Sequence, residues 1–201
     1  RVEGLLGQMT LEEKVGQTVL GNASAEDIEV NVKLGKVSAV ICDDLELNNK
    51  LQRTAVEESR LGIPLIIGAD VIHGFRTIFP LPLAESCSWN PELMEQTAAV
   101  AAAEAATMGV NWIYAPMVDI SRDPRWGRIA EGAGEDPFLG RAVAQARVRG
   151  FQNAALPGKR RIAACQKHYA AYGFAEAGRD YNTVDISERT LREVCLPPFK
   201  A

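Results

Sequence analysis

Four short apolar runs alternate with helical stretches along the chain, and this alternation limits the fold more than any other feature. Val37–Ile41 reads as a first strand, followed by a helix over Leu45–Ser59. Ile63–Ile67, introduced by Gly62 and Pro64, reads as the second strand, Val110–Pro116 as the third and Ile162–Cys165 as the fourth. The runs are apolar on both faces, as parallel strands covered by helices are. Parallel strands joined by helices build either an open doubly wound sheet or a closed barrel. No GxGxxG follows the first strand, whereas long polar loops follow the second, third and fourth, and in barrels the loops after the strands form the active face. A closed barrel needs eight strands. The sequence therefore predicts an α/β fold: an incomplete (β/α)8 TIM-type barrel, with about the first four β/α units preceded by N-terminal helices.

Local signals place the helices. Thr10-Leu11-Glu12-Glu13 fits a capping box opening a helix from Leu11 to about Leu20. A second helical stretch covers about Ala25 to Leu34, with Gly35 as its C-cap. Asn90 and Pro91 are the N-cap and first position of an alanine-rich helix running to Met108. A further helix spans about Pro137 to Gln152, and Ser187-Glu188-Arg189 begins the last. The chain opens at Arg1 and stops at Leu196–Ala201 inside a segment that still reads as helix. The expectation is an excerpt of something longer, or a chain that has lost a leader.

Composition excludes several function classes. A net charge of −4 with scattered Lys and Arg gives no reason to expect nucleic acid, and no apolar run approaches the ~20 residues of a membrane span. Cys42, Cys87, Cys165 and Cys195 stand far apart, without zinc-type spacing. Cys42 and Cys165 sit in apolar runs and read as small core residues.

Polar residues concentrate after the strands. Gly68-Ala69-Asp70-Val71-Ile72-His73-Gly74 follows the second strand, Asp119 to Arg128 and on to Glu135-Asp136 the third, and Gln166-Lys167-His168-Tyr169 the fourth. A carboxylate, a guanidinium and an ammonium/imidazole pair converging from adjacent strand ends suit a polyhydroxylated ligand. The carboxylate accepts from neighbouring hydroxyls while Lys and Arg donate to their oxygens. Asp70, Arg128, Lys167 and His168 are the candidate substrate-binding residues. Each nearby residue also has a structural reading: a turn cap for Asp70, a loop carbonyl for His73, an internal ion-pair web for Arg122, Asp123 and Arg125, packing for Trp126, and helix capping for Glu135-Asp136. Lys167 resists such a reading, because a lysine at the end of a buried strand needs a partner.

MTLEEKVGQ, GADVIHG, FPLPLAESCSWN, DPRWGRIAEGAGED and KHYAAYG, in this order and spacing, resemble the N-terminal barrel domain of family 3 glycoside hydrolases, in particular the bacterial periplasmic β-glucosidase branch. The resemblance covers essentially the whole chain and implies that residues 1–201 are the N-terminal part of that domain. It implies exo-acting hydrolysis of β-linked glucosides with retained configuration, no cofactor, and a periplasmic or secreted location. It also assigns Asp70, Arg128, Lys167 and His168 to binding the terminal sugar. The family's nucleophile is an aspartate on a later strand, in a Ser-Asp-Trp-like motif, and its acid/base usually comes from a following domain; neither is in this sequence. The expectation is a fragment that holds a sugar without cutting it. The alternatives are a non-catalytic sugar-binding module, a half-barrel that pairs with its missing half or with itself through exposed strand edges, and a Schiff-base aldolase using Lys167.

Overall fold

The computed structural model describes residues 2–154 and 161–201. In chain order the elements are α1 (Val2–Gln8), α2 (Leu11–Gly16), β1 (Leu20–Asn22), α3 (Ile28–Lys33), β2 (Ala39–Ile41), α4 (Leu45–Arg53), β3 (Ile66–Ala69), α5 (Pro82–Ser86), α6 (Pro91–Ala106), β4 (Trp112–Ile113), α7 (Pro137–Asn153), β5 (Ala163–Ala164), α8 (Glu188–Thr190) and α9 (Pro197–Lys200). Strand order in the sheet follows chain order, β1-β2-β3-β4-β5. A doubly wound sheet reverses its order at a switch point; this one does not, which is the barrel-type winding. The fold is α/β, an incomplete (β/α)8 barrel.

The first elements of the chain need correction. The helix begun at Leu11 ends at Gly16, and Leu20–Asn22 is a strand, so the described residues hold five strands rather than four. Leu20 pairs with Ala39 and Asn22 with Ile41 in parallel register. That strand owes its conformation to its neighbour, since three residues centred on Gly21 carry little strand preference of their own. The capping box itself is as read: Glu13 N–H donates to Thr10 Oγ1 at 3.2 Å and Thr10 N–H to Glu13 Oε2 at 2.8 Å. Gly35 closes α3 at φ +69°, a left-handed value that a side chain would strain. Asn90 caps α6 through Leu93 N–H.

The chain divides into two compact units, residues 1–69 with 105–112, and residues 70–104 with 113–201. In the first, Val40 and Ile67 point from β2 and β3 into a core with Ile28, Val32 and Leu51, whose side chains come from α3 and α4. Burying each such side chain contributes about 1.5–3 kcal/mol. Cys42 joins this core, while Cys165 is only half-buried. On the opposite face of the same strands Leu20, Ile41 and Ile66 stay nearly half exposed. In the second unit Met94 of α6 packs with Val143 and Ala146 of α7 around Ala133. A Cβ on Gly150 would lie 2.3 Å from the Glu95 carbonyl, so glycine there sets how closely α7 approaches α6. Among the described residues no helix is long and apolar enough to cross a membrane.

Candidate sugar-binding site

The four residues singled out from the sequence all belong to the second unit. Beyond β4 and β5 the chain continues as neighbouring extended segments. Met117 and Lys167 form a parallel bridge, Val118 N–H donates to the Lys167 carbonyl at 2.8 Å, and Lys167 N–H to that of Pro116 at 3.1 Å. This pairing sets Asp119 beside His168. Asp119 is buried, 3% exposed, and its Oδ2 accepts the His168 backbone N–H at 2.8 Å and lies 2.8 Å from His168 Nδ1. The Lys167–His168 peptide bond is cis.

Lys167 reaches Asp70, Nζ to Oδ2 at 3.2 Å, with side chains 12% and 59% exposed. The lysine stem is enclosed and its charge has the partner that burial demands. Asp70 keeps acceptor capacity toward solvent. Its loop is pinned at several points. Arg147 Nη2 donates to the Ile72 carbonyl at 2.6 Å while Nη1 pairs with Glu85 at 2.6 Å, both side chains being almost fully buried. Glu85 also accepts the Thr97 hydroxyl at 2.5 Å. His73 Nδ1 lies 3.1 Å from the Phe79 carbonyl, the structural role foreseen for it. Glu104 accepts the Thr77 hydroxyl at 2.6 Å and the backbone N–H groups of Thr77 and Arg76 at 2.8 Å, which together hold its carboxyl below the usual range.

Arg128 sits on the short 3₁₀ turn Gly127–Glu131. Side chains three apart eclipse in such a turn, so Glu131 lies against Arg128 and accepts a fork: Nε to Oε1 at 2.5 Å, Nη2 to Oε2 at 2.7 Å. The fork raises Arg128 and lowers Glu131 from their ordinary pKa values. Arg128 Nη1 is 3.2 Å from His168 Nε2. Tyr172 packs edge-on to His168 at 4.9 Å and beneath the guanidinium at 5.6 Å. Burial, reinforced by the Asp180 carboxylate, pushes the Tyr172 phenol up to about 12. Asp180 accepts the Tyr172 hydroxyl and Trp126 Nε1–H. Trp126 is buried, so it packs. Tyr181 is the exposed ring beside Tyr172, with centroids 5.8 Å apart. Asp123 pairs with Arg125, Arg122 lies over Phe174, and Asp136 caps α7, all structural roles.

The structure thus joins Asp70 to Lys167 and Arg128 to His168. It adds Asp119, Glu131, Tyr172 and Asp180, which the sequence reading did not place in the site. Only Glu131, three residues after Arg128, carried a local signal. A cleft of about 580 Å³ lined by Gln152, Ala164, Phe199 and Lys200 contains none of the four. Among the described residues no group of three His, Cys, Asp or Glu side chains is arranged to hold a metal ion.

Residues 10–201 match the model of the glycosyl hydrolase family 3 N-terminal domain. The chain belongs to glycoside hydrolase family 3. Within that family it is 39% identical over 205 residues to the periplasmic β-glucosidase of Salmonella typhimurium, covering 100% of this chain and 27% of that protein. A β-xylosidase of Formosa agariphila is 32% identical over 199 residues, covering 93% of this chain and 27% of the relative. Among solved structures of the family, the β-glucosidase of Listeria innocua in complex with glucose superposes with a TM-score of 0.88 at 39% identity, covering 98% of this chain and 30% of that one. This family 3 chain therefore spans less than a third of the length of these relatives.

Proposed function

We propose that Asp70, Arg128, Lys167 and His168 grip the non-reducing terminal sugar of a β-glucoside or related oligosaccharide. In this reading residues 1–201 are the N-terminal part of the barrel domain of a retaining, exo-acting β-glucosidase-like enzyme of the periplasm or cell exterior. The observation that carries the reading is the exposed Asp70 carboxylate held by Lys167 Nζ at 3.2 Å. A carboxylate and an ammonium side by side offer two neighbouring hydroxyls an acceptor and a donor at once. Arg128 and Lys167 are balanced by Glu131 and Asp70, which suits a neutral ligand. The names of the relatives, β-glucosidases and β-xylosidases, point the same way.

In this reading the residues of this chain bind the sugar and do not supply the attacking carboxylate. Retaining hydrolysis needs two carboxylates ~5–5.5 Å apart, one of them free to attack. Here Asp70, Asp119, Glu131 and Asp180 are engaged as acceptors by Lys167, His168, Arg128 and the Trp126–Tyr172 pair. No Ser-Asp-Trp-like stretch occurs in the chain. Titration calorimetry with methyl β-D-glucoside tests the grip: a saturable heat in the wild-type chain, lost in Asp70→Ala, is expected. No binding by the wild-type chain, or equal binding by the variant, would overturn it. The exposed Leu20–Ile41–Ile66 face favours a second reading, in which this chain also associates, with itself or with a further part of the barrel.

A further inference from the structure

Asp119 gives His168 everything it bonds with. Its Oδ2 meets both the backbone N–H and Nδ1 of His168 at 2.8 Å, and its Oδ1 has no hydrogen-bond partner among the described residues. On the other side of the ring Arg128 Nη1 stands 3.2 Å from Nε2. A guanidinium has N–H donors and no acceptor. Nε2 must therefore present its lone pair, and the single ring proton of a neutral imidazole must sit on Nδ1, pointing at Asp119. An imidazolium would set two donors against each other at Nε2, and the opposite tautomer would do the same while leaving Nδ1 and the carboxylate as facing acceptors. The bonds then run in one direction, from Arg128 into Nε2 and from Nδ1–H into Asp119, while the Arg128 fork runs to Glu131. A carboxylate that fixes the tautomer of a functional histidine is a recurring device.

We propose that Asp119 is a positioning residue that holds His168 as the neutral Nδ1–H tautomer, so that the Nε2 lone pair anchors Arg128. The consequence for sugar binding deepens the proposed function and rests on it; the tautomer does not. The chain contains two histidines, His73 and His168, so a long-range proton–nitrogen correlation spectrum shows two rings, and His73→Gln assigns them. Near neutral pH the free wild-type chain is expected to show a protonated Nδ1 and an unprotonated Nε2 on His168. Asp119→Ala should scramble that pattern and leave His73 unchanged. Asp119→Asn, whose amide oxygen can still accept both N–H groups, should restore it. A doubly protonated or Nε2–H ring in the wild type, or an undisturbed His168 in Asp119→Ala, overturns the assignment. If the alanine variant does not fold, which a changed His73 would reveal, the wild-type spectrum and the asparagine variant decide. Affinity for methyl β-D-glucoside should fall about tenfold in Asp119→Ala and recover in Asp119→Asn. An unchanged affinity with a scrambled ring overturns the positioning role. Absence of sugar binding in the wild-type chain would instead strike the proposed function, leaving the tautomer result standing.

Discussion

At the scale of single residues, the Glu13 carboxylate is held by hydrogen bonds from close partners, and that makes its charge testable. Glu13 accepts both Arg60 Nε at 2.9 Å and the Thr10 N–H, which together hold its carboxyl down to about 2. In the unfolded chain a glutamate titrates near 4.3. The folded value is the lower one, so the contribution to stability is complete above about 4.3 and is lost as pH falls toward 2. Urea midpoints measured across that window should fall more steeply for the wild type than for Glu13→Gln; parallel profiles would remove Glu13 from the account. In the site, Arg128→Lys keeps the charge but cannot fork Glu131 while reaching His168. Calorimetry should show weaker binding of methyl β-D-glucoside by this variant, even though the substitution is nominally conservative.

Helices α5, α6 and α7 position the loop that carries Asp70, and the device they use was hidden from the sequence. Glu85 and Arg147 are 62 residues apart, and nothing local to either marks a partner. Burial pulls the Arg147 pKa down and the Glu85 charge opposes it. Removing one member of such a pair leaves the other charged and unpaired, so Arg147→Met should cost about 3–5 kcal/mol in urea denaturation. Glu85→Leu combined with Arg147→Met should recover much of that, since an apolar replacement of a buried pair is often neutral. Recovery should be incomplete, because the Ile72 carbonyl also loses its donor. Legibility followed range. The Thr10–Glu13 box and the Asn90 and Asp136 caps could be read because each signal lies within a few residues of what it bonds. Strand β1 could not, because Gly21 is extended only through its pairing with Val40. Asp70, Arg128, Lys167 and His168 could be picked out as polar residues in the loops after the strands, but not the two pairs, Asp70–Lys167 and Arg128–His168, in which the fold joins them. Asp119 was not, because its role exists only once two strand ends 49 residues apart are paired.

For the chain as a whole, the same strands that build the first core leave an apolar face uncovered. Register places Leu20, Ala39 and Ile66 side by side, with Ile41 two residues along β2 on that same face. Val40 and Ile67 alternate to the opposite face and are buried by α3 and α4. Apolar surface left in water gains about 25 cal/mol per Å² when covered, and exposed apolar side chains gathered on one face mark places where something else packs. Two measurements on the isolated chain follow from this and from the engaged carboxylates of the site. Hydrolysis of an aryl β-glucoside should be at background, and turnover comparable to that of a full-length β-glucosidase would show that the chain holds a working carboxylate pair. Sedimentation should show mass rising with concentration, and Ile41→Thr with Ile66→Thr should reduce the association while leaving the buried Val40–Ile67 core intact. A wild-type chain that sediments as a sharp monomer at high concentration would mean that this face tolerates water, and self-association would have to be given up.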